Sequence, residues 1–428
     1  MGAEGRADAL LLEGAAPLDE ARGAGARSLR IEGGRIVEAG PGLETRGAAR
    51  IAIGAGRLRA GSVNAHTHLY SGLVPLGMPA PTPAPENFLQ ILERIWWRLD
   101  RALDAASLRA SARLYIAEAL LDGTTTLLDH HESPAFLEGS LDVLADAAEE
   151  LGIRLLLCYG ATDRNGGADE GRAGLEESRR FIESNSRALV RGCVGLHASF
   201  TVSDETLRRA ADLCRALGVP MHVHVAEDRA DRADAQERGY PGPLERLLHF
   251  GALPPGSILA HGIYLDEAQV RRVEEAECWL VQNPRSNAGN GVGYPTALHA
   301  SARVALGTDG YPARMREEAE ALRSSGLEHA DAGGEPSLRA RIAGSETLAF
   351  SRLGLQLGVG LEPGRPADLV IEEPAPGPAV AAAGRVRDVI VDGRLVVREG
   401  ELLSGDLDAI REEAQFEARR LWERMAAI

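Results

Sequence analysis

Eight apolar runs of strand length recur through the middle of the chain, each closed by polar residues and followed by an amphipathic stretch. They read GSVNAHTH (61–68), GTTTLLDHH (123–131), IRLLLCYG (153–160), RGCVGLHAS (191–199), PMHVHVAE (220–227), SILAHGIY (257–264), CWLVQNPRS (278–286) and RVALGTDG (303–310). Between them lie segments such as SLRASARLYIAEALLDG and SDETLRRAADLCRALG, whose apolar residues fall at helical spacing. Strands alternating with helices predict parallel βα units, and eight of them predict a (β/α)8 TIM-like barrel. A doubly wound sheet shares the alternation but does not bring side chains from so many strands to one point. Here polar residues fall at the C-terminal end of run after run: His68, Asp129 to His131, His197, Glu227, His261, Asn283 and Asp309. Barrel enzymes carry their active sites on that face.

The ends of the chain follow another pattern. SLRIEGGRIVEAG alternates apolar and polar residues around Gly33-Gly34, and VRDVIVDGRLVVREGEL does so around Asp392-Gly393; both are hairpin signatures. With the strand run ADLVIEEP, they predict a small β-sandwich domain formed by both termini, from 1–60 plus 357–405. The barrel then spans 61–356 and a helix closes the chain over 406–428. The stretch 72–100 is long for a βα loop: Pro-rich at first, then helical in LQILERIWWRLDRALD. Long loops over an active face are often lids, and Trp96 and Trp97 can supply an apolar wall for a flat substrate.

Composition narrows the function. A hydrophobic content of 44% allows a sizeable core, and a formal net charge of −16 argues against nucleic acid or an anionic membrane as partner. All 47 basic residues are arginine, which excludes a lysine Schiff base or a carbamylated-lysine bridge between two metals. The four cysteines form no C-x-x-C pair and read as buried free thiols. With no signal-peptide pattern and no apolar stretch of about 18 residues, a cytoplasmic protein is expected.

The candidate chemistry lies in the histidines. His66 and His68, two apart on a strand, point the same way and suit two imidazole ligands on one metal. His222 and His224 repeat the spacing, with Glu227 three residues further, and Asp309 ends the eighth run. Neutral imidazoles plus one carboxylate suit one divalent ion, Zn²⁺ first and Fe²⁺ or Mn²⁺ as alternatives, with a position left for water. Such an ion lowers the pKa of its water towards neutrality. Glu227 can shuttle protons to a ring nitrogen, His261 can hold or polarise the nucleophile, and Asp309 can ligate and accept the water proton. Trp97, Arg164 and one of the neighbours His130 and His131, His131 taken first, are expected to contact the substrate, the other histidine packing outward, although Arg164 also fits a loop stabilised by Asn-Gly turn chemistry.

These motifs resemble the amidohydrolase superfamily in its cytosine/guanine/adenosine-deaminase-like branch: H-x-H on strand 1, HVAE on strand 5, AHG on strand 6 and GTDG on strand 8 stand in that order. Further stretches, HLYSGL, WWRLDRALD, DHHESP, TDRNGG, FTVSD and AHGIYL among them, resemble SsnA-type aminohydrolases. The resemblance implies His66, His68, His224 and Asp309 as metal ligands, Glu227 as proton shuttle and His261 as the group orienting hydroxide. It places His197 where relatives put a substrate-contacting histidine. The H-x-x-E spacing selects His224 over His222, which is expected one layer deeper. One departure is Pro75-Leu76 after SGL, where relatives often carry an arginine. The expected function is hydrolytic deamination of an aminated heterocycle, purine- or pterin-like, with release of ammonia. Cyclic amide hydrolysis or chlorohydrolase-like displacement at the same site is the alternative, and a non-catalytic accessory role a third. A homo-oligomer is expected by family analogy only.

Overall fold

The computed structural model describes residues 9–17, 27–353, 361–374 and 384–428; the rest of the expected terminal segments lies outside the described residues. All eight expected runs form strands: β1 (Ser62–Thr67), β2 (Thr124–His131), β3 (Arg154–Ala161), β4 (Val194–Ala198), β5 (Met221–Val225), β6 (Ile258–His261), β7 (Trp279–Gln282) and β8 (Val304–Leu306). They pair in parallel in chain order, with the short strand Val190–Gly192 beside β3 leading into β4. β1 and β8 close the ring: a parallel bridge joins Thr67 to Asp309, and the amides of Thr308 and Asp309 both donate to the His66 carbonyl. Gly307 permits this closure, because a Cβ there would lie 2.8 Å from the His66 backbone. β2 and β3 are buried along their whole length, as strands covered on both faces must be.

The helices outside follow from local chemistry. Asp204–Leu217 starts at Ser203, whose side chain accepts from the Thr206 amide, carries Asp204 and Glu205 in its first turn and Arg215 in its last, and stops at Gly218 with φ 65°. Leu207, Ala210, Ala211 and Cys214 form its buried face, at i, i+3, i+4 and i+7.

The termini meet where Arg57–Ala60 pairs antiparallel with Leu369–Glu373. Leu10, Leu12, Leu29, Ile31 and Ile36 from one half of this sheet share a core with Leu58, Leu369, Ile371 and Ile390 from the other, which makes the small domain a sandwich. Its two predicted hairpin turns, Gly33-Gly34 (φ 55° and 75°) and Asp392-Gly393 (φ 50° and 73°), touch one another. Arg154, opening β3, ties the barrel to this domain through a buried bond to Asp368 (2.6 Å) and a partly exposed one to Asp392 (2.7 Å). The C-terminal helix Leu407–Ala427 packs on helix Ala105–Leu121, and its Trp422 indole donates to the Leu76 carbonyl at 3.1 Å, pinning the front of the long loop. No helix among the described residues is long and apolar enough to cross a membrane.

One half-buried acid on an outer helix sits outside any ion pair among the described residues. Glu346, on helix Gly334–Arg352, has an Oε2 without a hydrogen-bond partner among the described residues. Burial drives its pKa from the usual 4.5 up to about 7, with Arg59 pulling the other way. The folded protein therefore holds this proton more tightly than the unfolded chain, so stability falls as pH rises from 4.5 through about 7. Glu346→Gln is expected to stabilise the protein at pH 8 by about 2 kcal/mol more than at pH 5. Urea unfolding at the two pH values checks this, and equal shifts would contradict it.

Candidate active site

The C-terminal rim of the barrel gathers side chains through backbone that the pattern of apolar runs does not reveal. Three non-glycine residues take positive φ at this rim: Ala226 (51°), His261 (75°) and Asp309 (54°). Such backbone costs of order 1 kcal/mol per residue and persists where surrounding contacts fix it. Asp231 fixes the first, its Oδ2 accepting from the Ala226 amide at 2.7 Å. Ser286 braces Asp309 by donating to its Oδ2. Gly310 follows Asp309 and lets Trp96 approach, since a Cβ there would meet the indole at 2.9 Å.

The imidazoles are oriented by their outer nitrogens. His68 Nδ1 donates to the His130 carbonyl at 2.6 Å, and His224 Nδ1 to the His197 carbonyl at 2.7 Å. Both Nε2 atoms therefore present lone pairs in the neutral ring, yet they face each other at 3.4 Å. Two acceptors so close require a proton or a cation between them. Buried His66 Nε2 and His261 Nε2 have no hydrogen-bond partner among the described residues. Asp309 Oδ1 stands 2.8 Å from His68 Nε2 and 3.5 Å from His66 Nε2, and Oδ2 stands 4.0 Å from His261 Nε2. One ligand atom from each of His66, His224, His261 and Asp309 lies within 4.8 Å of the others. Converging lone pairs beside one carboxylate fit a single divalent cation. His66 Nδ1 lies 2.9 Å from His222 Nε2, which puts His222 behind His66.

His261 Nδ1 faces Asn287 Oδ1 at 3.0 Å, which fixes its proton there. Its Nε2 lies 3.5 Å from Glu227 Oε2. Burial, reinforced by the charges of Asp309, Asp228 and Asp231, pushes Glu227 well above the usual carboxylate range. Asp309 goes the other way: burial opposes its charge, but the neighbouring imidazoles of His66 and His68 hold it well below that range. Their surroundings thus push the two acids of the site in opposite directions, the separation that acid–base chemistry uses.

Above this set opens a cleft walled by Tyr70, Phe88, Leu92, Trp96, Trp97 and Phe200, with His197, Glu132 and Asn290 as polar lining. A π-helical turn over Leu92–Trp96 brings both Trp96 and Trp97 to the cleft. His197 and Trp97 stand where substrate contact was expected. His131 does not: it is turned behind the wall, its Nε2 on Ser133 Oγ at 2.8 Å and its ring between Tyr70 and Tyr159. Neighbours on a strand point to opposite faces, and it is His130 that faces the histidine cluster. Arg164 is likewise withdrawn, bound to Asp100 at 2.5 Å and to Glu132 at 2.6 Å. It meets the cleft through Glu132 and through the ring of Trp97, which its guanidinium approaches at 4.9 Å. Asn283 and Asn287 brace His261, and Ser286 braces Asp309. Sequence reasoning missed Glu132, Asn290, Phe88 and Phe200; Glu132 carried no signal beyond following two histidines.

Residues 58–396 match the model of the amidohydrolase family, and the chain belongs to that family. Among curated proteins it is 30% identical over 423 residues to a 5′-deoxyadenosine deaminase of Methanothermobacter thermautotrophicus, covering 92% of this chain and 94% of that protein. It is 29% identical over 419 residues to an 8-oxoguanine deaminase of Pseudomonas aeruginosa, covering 90% and 92%. Among solved structures, an adenosine deaminase from Xanthomonas campestris with bound zinc superposes with a TM-score of 0.79 at 25% identity, over 98% of this chain and 99% of that one. The zinc complex of atrazine chlorohydrolase from Arthrobacter aurescens TC1 gives 0.81 at 21% identity, over 96% and 100%, and so shares the fold.

Proposed function

We propose that the protein is a metal-dependent hydrolytic deaminase of an aminated heterocycle, a purine-like ring first among them, holding one zinc ion on His66, His68, His224 and Asp309. The observation that carries this reading is the convergence of unpartnered imidazole lone pairs on Asp309, with the Glu227 carboxyl 3.5 Å from His261. A divalent ion there supplies the Lewis acidity that makes water nucleophilic near neutral pH, iron or manganese serving the same chemistry as zinc.

The chain's own residues do the rest. Trp96, Trp97 and Phe200 hold a flat ring and exclude water. His261, fixed through Asn287, orients the attacking water from its Nε2 side, and Asp309 takes the water's proton. Glu227 delivers a proton to the ring nitrogen beside the attacked carbon. The proton held by Asp309 passes to the amino group, which leaves as ammonia, and the added hydroxyl gives its remaining proton back to Glu227 as the ring keeps an oxo group in place of the amine. Deaminase relatives of both the adenosine and the oxopurine kind support a purine-like ring; the resemblance to SsnA-type aminohydrolases rests on the motif stretches alone.

The test is ammonia release from aminated purines, pterins, pyrimidines and triazines by zinc- or iron-loaded protein, with product mass read alongside. Ammonia with an amino-to-oxo mass change from one ring class supports the reading. Full metal loading without ammonia from any ring overturns it.

A further inference from the structure

Glu132 is a buried carboxylate on the cleft wall, one residue beyond the end of β2. Its two oxygens have unlike surroundings. Oε2 is clamped by Arg164 Nη2 at 2.6 Å. The same nitrogen holds Asp100 at 2.5 Å, and the guanidinium lies 4.9 Å from the centre of the Trp97 ring. Arg164 itself is nearly fully buried, with Nε and Nη1 unpartnered among the described residues. One cation thus faces two acids; burial, opposed by Arg164, pushes the Glu132 carboxyl up to about 7 and raises Asp100 too, so the cluster carries an uncompensated negative charge only above that range.

Oε1 stands 3.7 Å from His130 Nδ1 and 3.8 Å from His197 Nε2, beyond hydrogen-bond reach. Neither ring is set to donate to it. His130 Nε2 faces the Leu196 carbonyl at 3.0 Å, so its proton is on Nε2 and Nδ1 is a lone pair. Thr201 Oγ1 donates to the Ala198 carbonyl and so accepts from His197 Nδ1 at 2.9 Å, which leaves His197 Nε2 as a lone pair too. A carboxylate oxygen flanked by two imidazole lone pairs lacks a donor, and Glu132 meets the cleft that would supply one.

We propose that Glu132 selects the substrate: its Oε1 accepts a hydrogen bond from an N–H or O–H donor of the bound heterocycle, and rings presenting only acceptors on that side are rejected. This rests on the deaminase reading for the identity of the ring. Arg164 and Asp100 act through Glu132 as positioning residues. The donor can come from a ring lactam N–H or from a sugar hydroxyl.

The test is binding by calorimetric titration at pH 8, using zinc-loaded protein silenced by Glu227→Gln, so that no turnover is needed. One probe set is 8-oxoguanine with its 1-, 7- and 9-methyl derivatives; the other is adenosine with 2′,3′-dideoxyadenosine. Removing the donor that Glu132 reads is expected to weaken binding about 10- to 100-fold, the worth of a hydrogen bond to a charged group. With Glu132→Ala added, the two partners of that pair should bind alike. The discriminated set names the source of the donor. Discrimination that survives Glu132→Ala, or no Glu132-dependent difference and no binding in either set, overturns the proposal. Glu132→Gln keeps the side-chain shape, and unchanged zinc content shows that the site has folded. Glu132-dependent binding without ammonia from the unsilenced enzyme would sink the deaminase reading alone.

Discussion

Glu227→Gln is expected to keep its metal and lose about a thousandfold in kcat, close to 4 kcal/mol of barrier. The amide has the shape of the carboxyl and can still meet Asn290, the hydrogen-bond partner of Glu227. It cannot give up a proton at neutral pH. Glu227 lies beyond the end of β5, on a turn anchored by Asp231, so the exchange disturbs neither the strand nor His224. KM should change little, because the flat ring is gripped by the aromatic walls and by Glu132. Ammonia release and metal content measured on the same samples decide it. A variant that keeps more than a tenth of wild-type kcat would remove Glu227 from the chemistry.

The second large effect concerns metal. His68→Ala removes the nitrogen that sits between His224 Nε2 (3.4 Å) and Asp309 Oδ1 (2.8 Å). Zinc retained after dialysis should fall from one per chain towards none, and ammonia release should fall to background. Stability provides a readout independent of turnover. A ligand present at a thousand times its Kd stabilises the folded state by about 4 kcal/mol. Wild-type protein should therefore gain thermal stability when zinc is added, and the variant should not. Equal zinc-dependent shifts in the two proteins would place the metal elsewhere.

The barrel could be read from sequence because its strands are buried on both faces and each carries an apolar run with polar residues at its end. The ring closure at Gly307 leaves no such trace, and β8 is only the three residues Val304–Leu306. The converging residues His66, His68, His224, His261 and Asp309 were legible because strand geometry puts i and i+2 on one face and parallel strands share one rim. The cleft walls were less so. Alternation cannot say which of two neighbouring histidines turns inward, and it lapses after the strand end, where Glu132 sits. Arg164 looked like a substrate contact as a loop arginine, but its acidic partner Asp100 lies 64 positions away in the sequence. The positive φ values at Ala226, His261 and Asp309 are set by tertiary contacts; Gly262 and Gly310, each following one of them, are a local hint at most.

The most direct measurement is a zinc titration of metal-stripped protein with ammonia release followed on an accepted aminated purine. A single His and Asp site with no lysine to bridge a second ion predicts that the rate rises linearly and stops at one zinc per chain. A rate that climbs to two equivalents would contradict the single-metal site, and protein that fills to one equivalent without releasing ammonia would contradict deamination itself.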